Sequence, residues 1–143
     1  MGASTFGKRE RIVSRKLIER LFDRTGIFRN VDNERAFFER GSMMGFPLRA
    51  VYLPYSRNDS DETVQILVSV SKRHFKHAVD RNRVKRQVRE AYRKHKQLLT
   101  AQIPETMAMA VAFIWMTNEL MDSQRVERAV CQLLLRIAKK VKE

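Results

Sequence analysis

Hydrophobic positions follow two different rhythms along the chain. Leu17, Ile18, Leu21 and Phe22 recur at helical spacing, which predicts a helix over 11–23 that starts near Ser14, a residue suited to capping an N-terminus. Residues 24–45 are less regular. The spacing over 35–39 fits one helical turn, and Gly41 and Gly45 read as loop markers. Pro-Leu-Arg-Ala-Val-Tyr-Leu-Pro at 47–54 predicts a strand closed by Pro54. A polar turn over 55–62 separates it from 63–70, whose alternation and β-branched residues predict a second strand, paired with the first as a hairpin. A long helix follows over 79–99, with Asp80 near its positive end. The apolar run 108–115 has a strand's length and reads as buried on both faces. Asp122 or Ser123 then caps a helix over 124–141 that gathers Val126, Ala129, Val130, Leu133, Leu134, Ile137 and Val141 on one side. With one further short strand, the order α-β-β-(β)-α-β-α predicts an α+β fold, a single-domain α/β sandwich with helices packed on a small central sheet. No repeat or linker divides it, so 1–143 reads as one domain.

Composition narrows the class. Of 143 residues, 43% are hydrophobic, which supports a real core rather than a disordered basic tail. No apolar run approaches the ~20 residues of a membrane span. Residues 1–11 lack the apolar centre of a secretory signal. Phe6 stands where myristoylation of Gly2 would want Ser or Thr. The single cysteine, Cys131, excludes an internal disulfide framework and sits among apolar residues, as an inert buried thiol would. The sequon at 58–60 is then without consequence, and the expected compartment is the cytoplasm.

Charge is where the chain departs from an ordinary domain. Lys and Arg number 29 against 16 Asp and Glu, a formal +13. Residues 72–96 alone hold 11 basic and 2 acidic side chains, whereas a solvated surface interleaves the signs. On a wheel of ~100° per residue, Val84, Val88, Ala91, His95, Leu98 and Leu99 form an apolar face, flanked by one stripe of Arg81, Lys85, Lys96, Arg89, Asn82, Arg93 and Arg86. Forked guanidinium donors suit phosphate oxygens, and Asn can read a base edge or sugar. Like charges at Arg81, Lys85, Arg89 and Arg93 repel at i,i+4 by ~0.2–0.5 kcal/mol per pair without a partner. Such a helix, built against its own stability, points to a polyanionic ligand.

Arg81-Asn82-Arg83-Val84-Lys85-Arg86-Gln87-Val88-Arg89, preceded by Val-Ser-Val-Ser-Lys-Arg at 68–73, resembles the motif of the bacterial ribonuclease P protein family. Phe6 to Ser14 with Leu21-Phe22 is similar to that family's N-terminal segment and first helix, and Gly41 to Tyr52 resembles its first strand region. The resemblance implies the sandwich fold with a left-handed crossover through the basic helix. It also implies a protein that assists a catalytic RNA in removing the 5′ leader of precursor tRNA. Arg81, Asn82, Arg83, Lys85, Arg86 and Arg89, joined by Arg93, Lys72 and Arg73, are then the expected RNA-binding residues. Phe22, Tyr52 and Ile18 are the expected leader cleft, with either Phe22 or Phe38 in the aromatic position, because residues 24–40 resemble an insertion atypical of the family.

No catalytic residue and no metal ligand is expected in the protein. His74, His77 and His95 all lie in the basic block, and no His/Cys/carboxylate group has metal-ligand spacing. The partners implied are the catalytic RNA and precursor tRNA, with no membrane and no obligate protein partner. Magnesium is expected only in the ribonucleoprotein, on oxygens of RNA and substrate. A ribosome-associated or other structured-RNA-binding protein would share the charge without needing a cleft. A protein-only nuclease would need clustered carboxylates, and the acids here are scattered. A DNA-binding helix would share the phosphate attraction.

Overall fold

The computed structural model describes residues 6–12, 14–22, 40–58 and 62–142. The turn expected over 35–39, Phe38 and nearly all of the expected insertion lie outside them. After a 3₁₀ turn at Lys8–Glu10, the elements are α1 (Arg15–Leu21), β1 (Gly41–Gly45), β2 (Leu48–Ser56), β3 (Val64–Ser69), α2 (Ala78–His95), α3 (Gln97–Thr100), β4 (Met107–Trp115) and α4 (Ser123–Lys142). The result is the expected α+β sandwich.

The strand order is β1-β2-β4-β3, which overturns the hairpin expected between 47–54 and 63–70. β4 lies between those two strands, antiparallel to β2 and parallel to β3. Its run is buried on both faces, so it takes an interior place with a neighbour on each edge. The strand that β2 does meet as a hairpin is β1, through Phe46–Pro47, whose peptide bond is cis. Gly41 and Gly45 are therefore not loop markers but the two ends of β1. A Cβ at Gly41 would collide with the Tyr52 ring, and one at Gly45 would come within 2.9 Å of Leu133.

Pro54 does not close β2, which continues to Ser56. It pairs with Met109, whose N–H bonds to Thr63 on the opposite edge. The Pro54 nitrogen thus faces the β1 side, beyond that strand's last pair, Gly41 with Tyr52. A missing donor costs nothing there.

Each helix has a local cause. The Ser14 hydroxyl accepts from the Leu17 N–H at 3.4 Å and starts α1, while Arg40 donates to the Leu21 carbonyl at 2.7 Å and finishes it. Asp122 caps α4 through the Arg125 N–H at 2.8 Å. The helix expected over 79–99 is two helices, α2 and α3, meeting at Lys96, which keeps helical backbone angles. No Gly or Pro marks that break.

The sheet separates two cores. Leu48, Ala50, Ile66, Val68, Val111, Phe113 and Trp115 pack under α2 and α4. Val51, Leu53, Tyr55, Ala108, Ala110 and Ala112 meet Leu17 and Leu21 of α1. The alanines let α1 lie close to the sheet.

Candidate nucleic-acid interface

The buried face of α2 is Val84, Val88, Ala91 and Tyr92. His95, expected on that face, is half-buried instead, its Nε2 2.7 Å from Glu127 Oε2. Tyr92 lies within the predicted basic stripe and is nevertheless fully buried, because the N-terminal segment covers it. The Phe6 ring meets Tyr92 edge-on at 5.8 Å. Burial drives the Tyr92 phenol well above its ordinary pKa, and the carboxylates of Glu10 and Glu62 add to the shift.

The segment is held at that place from two sides. The Ile12 N–H donates to the Ile66 carbonyl at 2.9 Å, Gln65 donates to the Arg9 carbonyl at 2.8 Å, and Arg9 pairs with Glu62 at 3.4 Å, all along the free edge of β3. On the other side Lys96 Nζ lies 3.0 Å from both oxygens of Glu10. Arg11 is thereby carried over the flank of α2, its guanidinium 5.4 Å from the Phe6 ring centre. An open recess of about 470 Å³ results, lined by Phe6, Arg11, Asn82, Arg86, Arg89, Glu90 and Arg93.

The stripe now divides into cations with protein partners and cations without. Arg81 donates to the carbonyls of Phe75 and Lys76, both at 2.9 Å, and so fastens the loop that leads into α2. Arg93 forks onto Glu90 at 3.0 and 2.5 Å. That contact raises the Arg93 pKa and lowers that of Glu90. Lys96 is held by Glu10. Arg83, Lys85, Arg86 and Arg89 make no hydrogen bond or ion pair among the described residues. The Arg89 guanidinium is pulled below its ordinary pKa, first by partial burial and then by the charge of Arg11. Arg89 and Arg11 thus share a recess in which the one acid among the described lining residues, Glu90, is already engaged. A phosphate placed there would relieve both.

Of the expected RNA-binding residues, Asn82, Arg86, Arg89 and Arg93 come together in the recess. Arg83 and Lys85 lie outside it on the same helix. Lys72 and Arg73 are exposed in the loop before α2, where His74 Nδ1 meets Asn118 Oδ1 at 2.6 Å. Arg11 and Phe6 were missed as site residues. Their only signal was membership in the N-terminal segment that resembled the family, since nothing local shows that β3 would hold this segment against α2.

The expected cleft is not assembled as a set. Ile18, like Leu67 and Ile114, packs partly buried against the α1 core, and Phe22, at the end of α1, is 40% exposed. Tyr52 is on the other face of the sheet, against the α2–α4 core with its ring over Gly41. Alternation along β2 sends Val51 and Leu53 toward α1 and Tyr52 away from it. Tyr52 therefore leaves the cleft.

A four-stranded sheet backed by a helix with unpaired arginines and an N-terminal segment completing its recess defines an α+β protein built to hold a polyanion. Comparison with known proteins identifies which. The family model described as Ribonuclease P matches residues 6–138. The chain is 45% identical over 103 residues to the ribonuclease P protein component of Porphyromonas gingivalis, covering 71% of this chain and 74% of that one. It is 61% identical over 36 residues, a quarter of each chain, to the ribonuclease P protein component of Chlorobium phaeobacteroides. The ribonuclease P protein of Thermotoga maritima superposes with a TM-score of 0.53 at 21% identity, covering 68% of this chain and 84% of that one, and so shares the fold. The chain belongs to the ribonuclease P protein family, protein components of a ribonucleoprotein enzyme that matures tRNA 5′ ends.

Proposed function

We propose that the chain binds the catalytic RNA of ribonuclease P through the exposed flank of α2. On the α1 face of the sheet it holds the 5′ leader of precursor tRNA, and bond cleavage belongs to the RNA. The observation that carries this reading is the recess in which Arg11, Arg86 and Arg89 converge without a protein counter-ion among the described residues. Phosphodiester oxygens supply the missing charge, and Asn82 beside them can reach a base or sugar. Membership in a ribonucleoprotein family supplies the RNA.

The protein's part is positioning. Among the described residues no three His, Cys, Asp or Glu side chains come together in a way that could hold a metal ion. The magnesium expected in the ribonucleoprotein is assigned to oxygens of RNA and substrate phosphates, the ligands a hard cation prefers. On the α1 face, the exposed Phe22 ring offers a surface on which a base can stack, worth ~1–3 kcal/mol, next to the apolar margin of Ile18, Leu67 and Ile114. The cytoplasm, where tRNA is made in bacteria, is the compartment this role assigns.

Reconstitution tests the reading. The protein, the in vitro transcribed catalytic RNA and precursor tRNA are combined at physiological magnesium, and mature 5′ ends should form efficiently only with all three. Cleavage equally fast without the protein would refute it. For the cleft, Phe22→Ala should weaken binding of leader-bearing precursor more than of mature tRNA, with roughly a 5- to 150-fold loss from one stacked base. Equal losses for both would remove Phe22 from leader contact.

A further inference from the structure

A second groove lies on the helical layer, beyond the end of the recess. The turn after α2, with α3, forms one wall and the C-terminal half of α4 the other, enclosing about 540 Å³. Lys94, Lys139 and Lys142 line it over an apolar floor that includes Leu98, Leu135 and Ala138. None of the described residues lining it is acidic. The three lysines form no hydrogen bond or ion pair among the described residues, although Lys94 lies within the field of Glu90 and Glu127.

Two features separate this groove from an ordinary solvated helix end. Lysines in the last turn of α4 suit the negative end of its dipole, but that does not explain why Lys94 approaches from another helix. Nor does it explain Leu135, which is 49% exposed. Leu135, Ala138, Lys139 and Lys142 stand at i, i+3, i+4 and i+7, one face of α4 turned toward α3. An anion with flat apolar faces fits such a surface, phosphates on the lysines and sugar or base along the leucines. Lys94 is roughly 140° around α2 from Arg89 and about 40° from Glu90 at the margin of the recess, so the groove continues the cationic surface past Glu90 onto α4.

We propose that this groove binds a second stretch of RNA backbone, belonging to the catalytic RNA rather than to the leader. The groove is on the α2–α4 side of the sheet and Phe22 is on the α1 side, which assigns the groove to the larger RNA. The proposal rests on the RNA-binding reading above and extends it from one contact face to two.

The test uses the full chain with the in vitro transcribed catalytic RNA and, in a separate titration, with precursor tRNA. Three proteins are titrated across a series of salt concentrations: the parent, the groove variant Lys94→Gln/Lys139→Gln/Lys142→Gln, and the recess variant Arg86→Ala/Arg89→Ala. Thermal melts confirm that each is folded. The groove variant should bind more weakly at low salt, and its log affinity against log salt should be shallower by roughly 2 to 3. Parent-like affinity and slope in the groove variant, with a shallower slope in the recess variant, would overturn the second site and leave the RNA-binding reading intact. Parent-like behaviour in both variants would overturn both, and a groove-variant defect confined to precursor tRNA would overturn the assignment to the catalytic RNA.

Discussion

α2 and α4 lie side by side on the same face of the sheet and serve opposite purposes. α4 buries Val126, Ala129, Val130, Leu133, Leu134, Ile137 and Ala138, while α2, nearly as long, buries Val84, Val88, Ala91 and Tyr92. α4 is held by packing. α2 gives up a broad buried face to display cations, and depends on others to stay in place: Phe6 covers Tyr92, Arg81 ties its entry loop, and Gln87 donates to the Met121 carbonyl at 2.9 Å. A helix that must meet a polyanion cannot also be the main anchor of the fold, so the two roles fall to neighbours.

The largest expected effect tests the anchor. Leu133 is fully buried against β1 and α4's own neighbours, and Leu133→Ala should cost ~2–5 kcal/mol of stability, read from urea unfolding. A cost below ~1 kcal/mol would mean that α4 does not carry the core. The display helix should behave in the opposite way. Arg86→Ala/Arg89→Ala should leave unfolding within ~0.5 kcal/mol of the parent while weakening RNA binding. If the parent neutralises ~6 phosphates, its log–log salt slope is roughly −4 to −5, and the double variant should be shallower by roughly 2. A folded double variant with unchanged affinity and slope would end the assignment of this flank to RNA.

The contrast was partly legible in the sequence. The i, i+3, i+4 spacing of Val126, Val130, Leu133 and Ile137 announces α4, because a buried helical face is a local pattern. The basic stripe is legible for the same reason. Strand order is not, since β4 pairs with β2 and β3 across long stretches of chain and only its two-sided burial selects the interior position. The cleft is misread at Tyr52 because a hydroxyl-bearing ring fits either face, and one step of alternation decides which. Arg11 is hidden because the bond from Ile12 to Ile66 joins residues far apart in the chain. The fate of Arg81 is hidden because its acceptors are backbone carbonyls, which every residue carries.

Arg81 sharpens the comparison from within α2. By charge it belongs with Arg86, but its guanidinium is spent on the carbonyls of Phe75 and Lys76. Arg81→Ala should therefore cost ~1 kcal/mol of stability and reduce RNA affinity less than Arg86→Ala does. The reverse pattern, with stability intact and affinity lost, would return Arg81 to the binding set.

The smallest effect lies where the two helices touch. Glu127 of α4 accepts from His95 of α2, and that hydrogen bond is the main cause holding its carboxyl below the ordinary value of 4.5. Because the folded-state pKa is depressed, the stabilisation is complete above the unfolded value and disappears as pH falls through the folded one. Glu127→Gln removes the titrating group. Between pH 7 and 5 the variant should be modestly less stable than the parent. Below pH ~4.5 the gap should narrow, as the parent's own carboxyl takes up its proton. Urea midpoints measured from pH 7 to 3 give the comparison. A gap that stays constant, or widens in acid, would show that this contact does not couple α2 to α4 through the charge of Glu127.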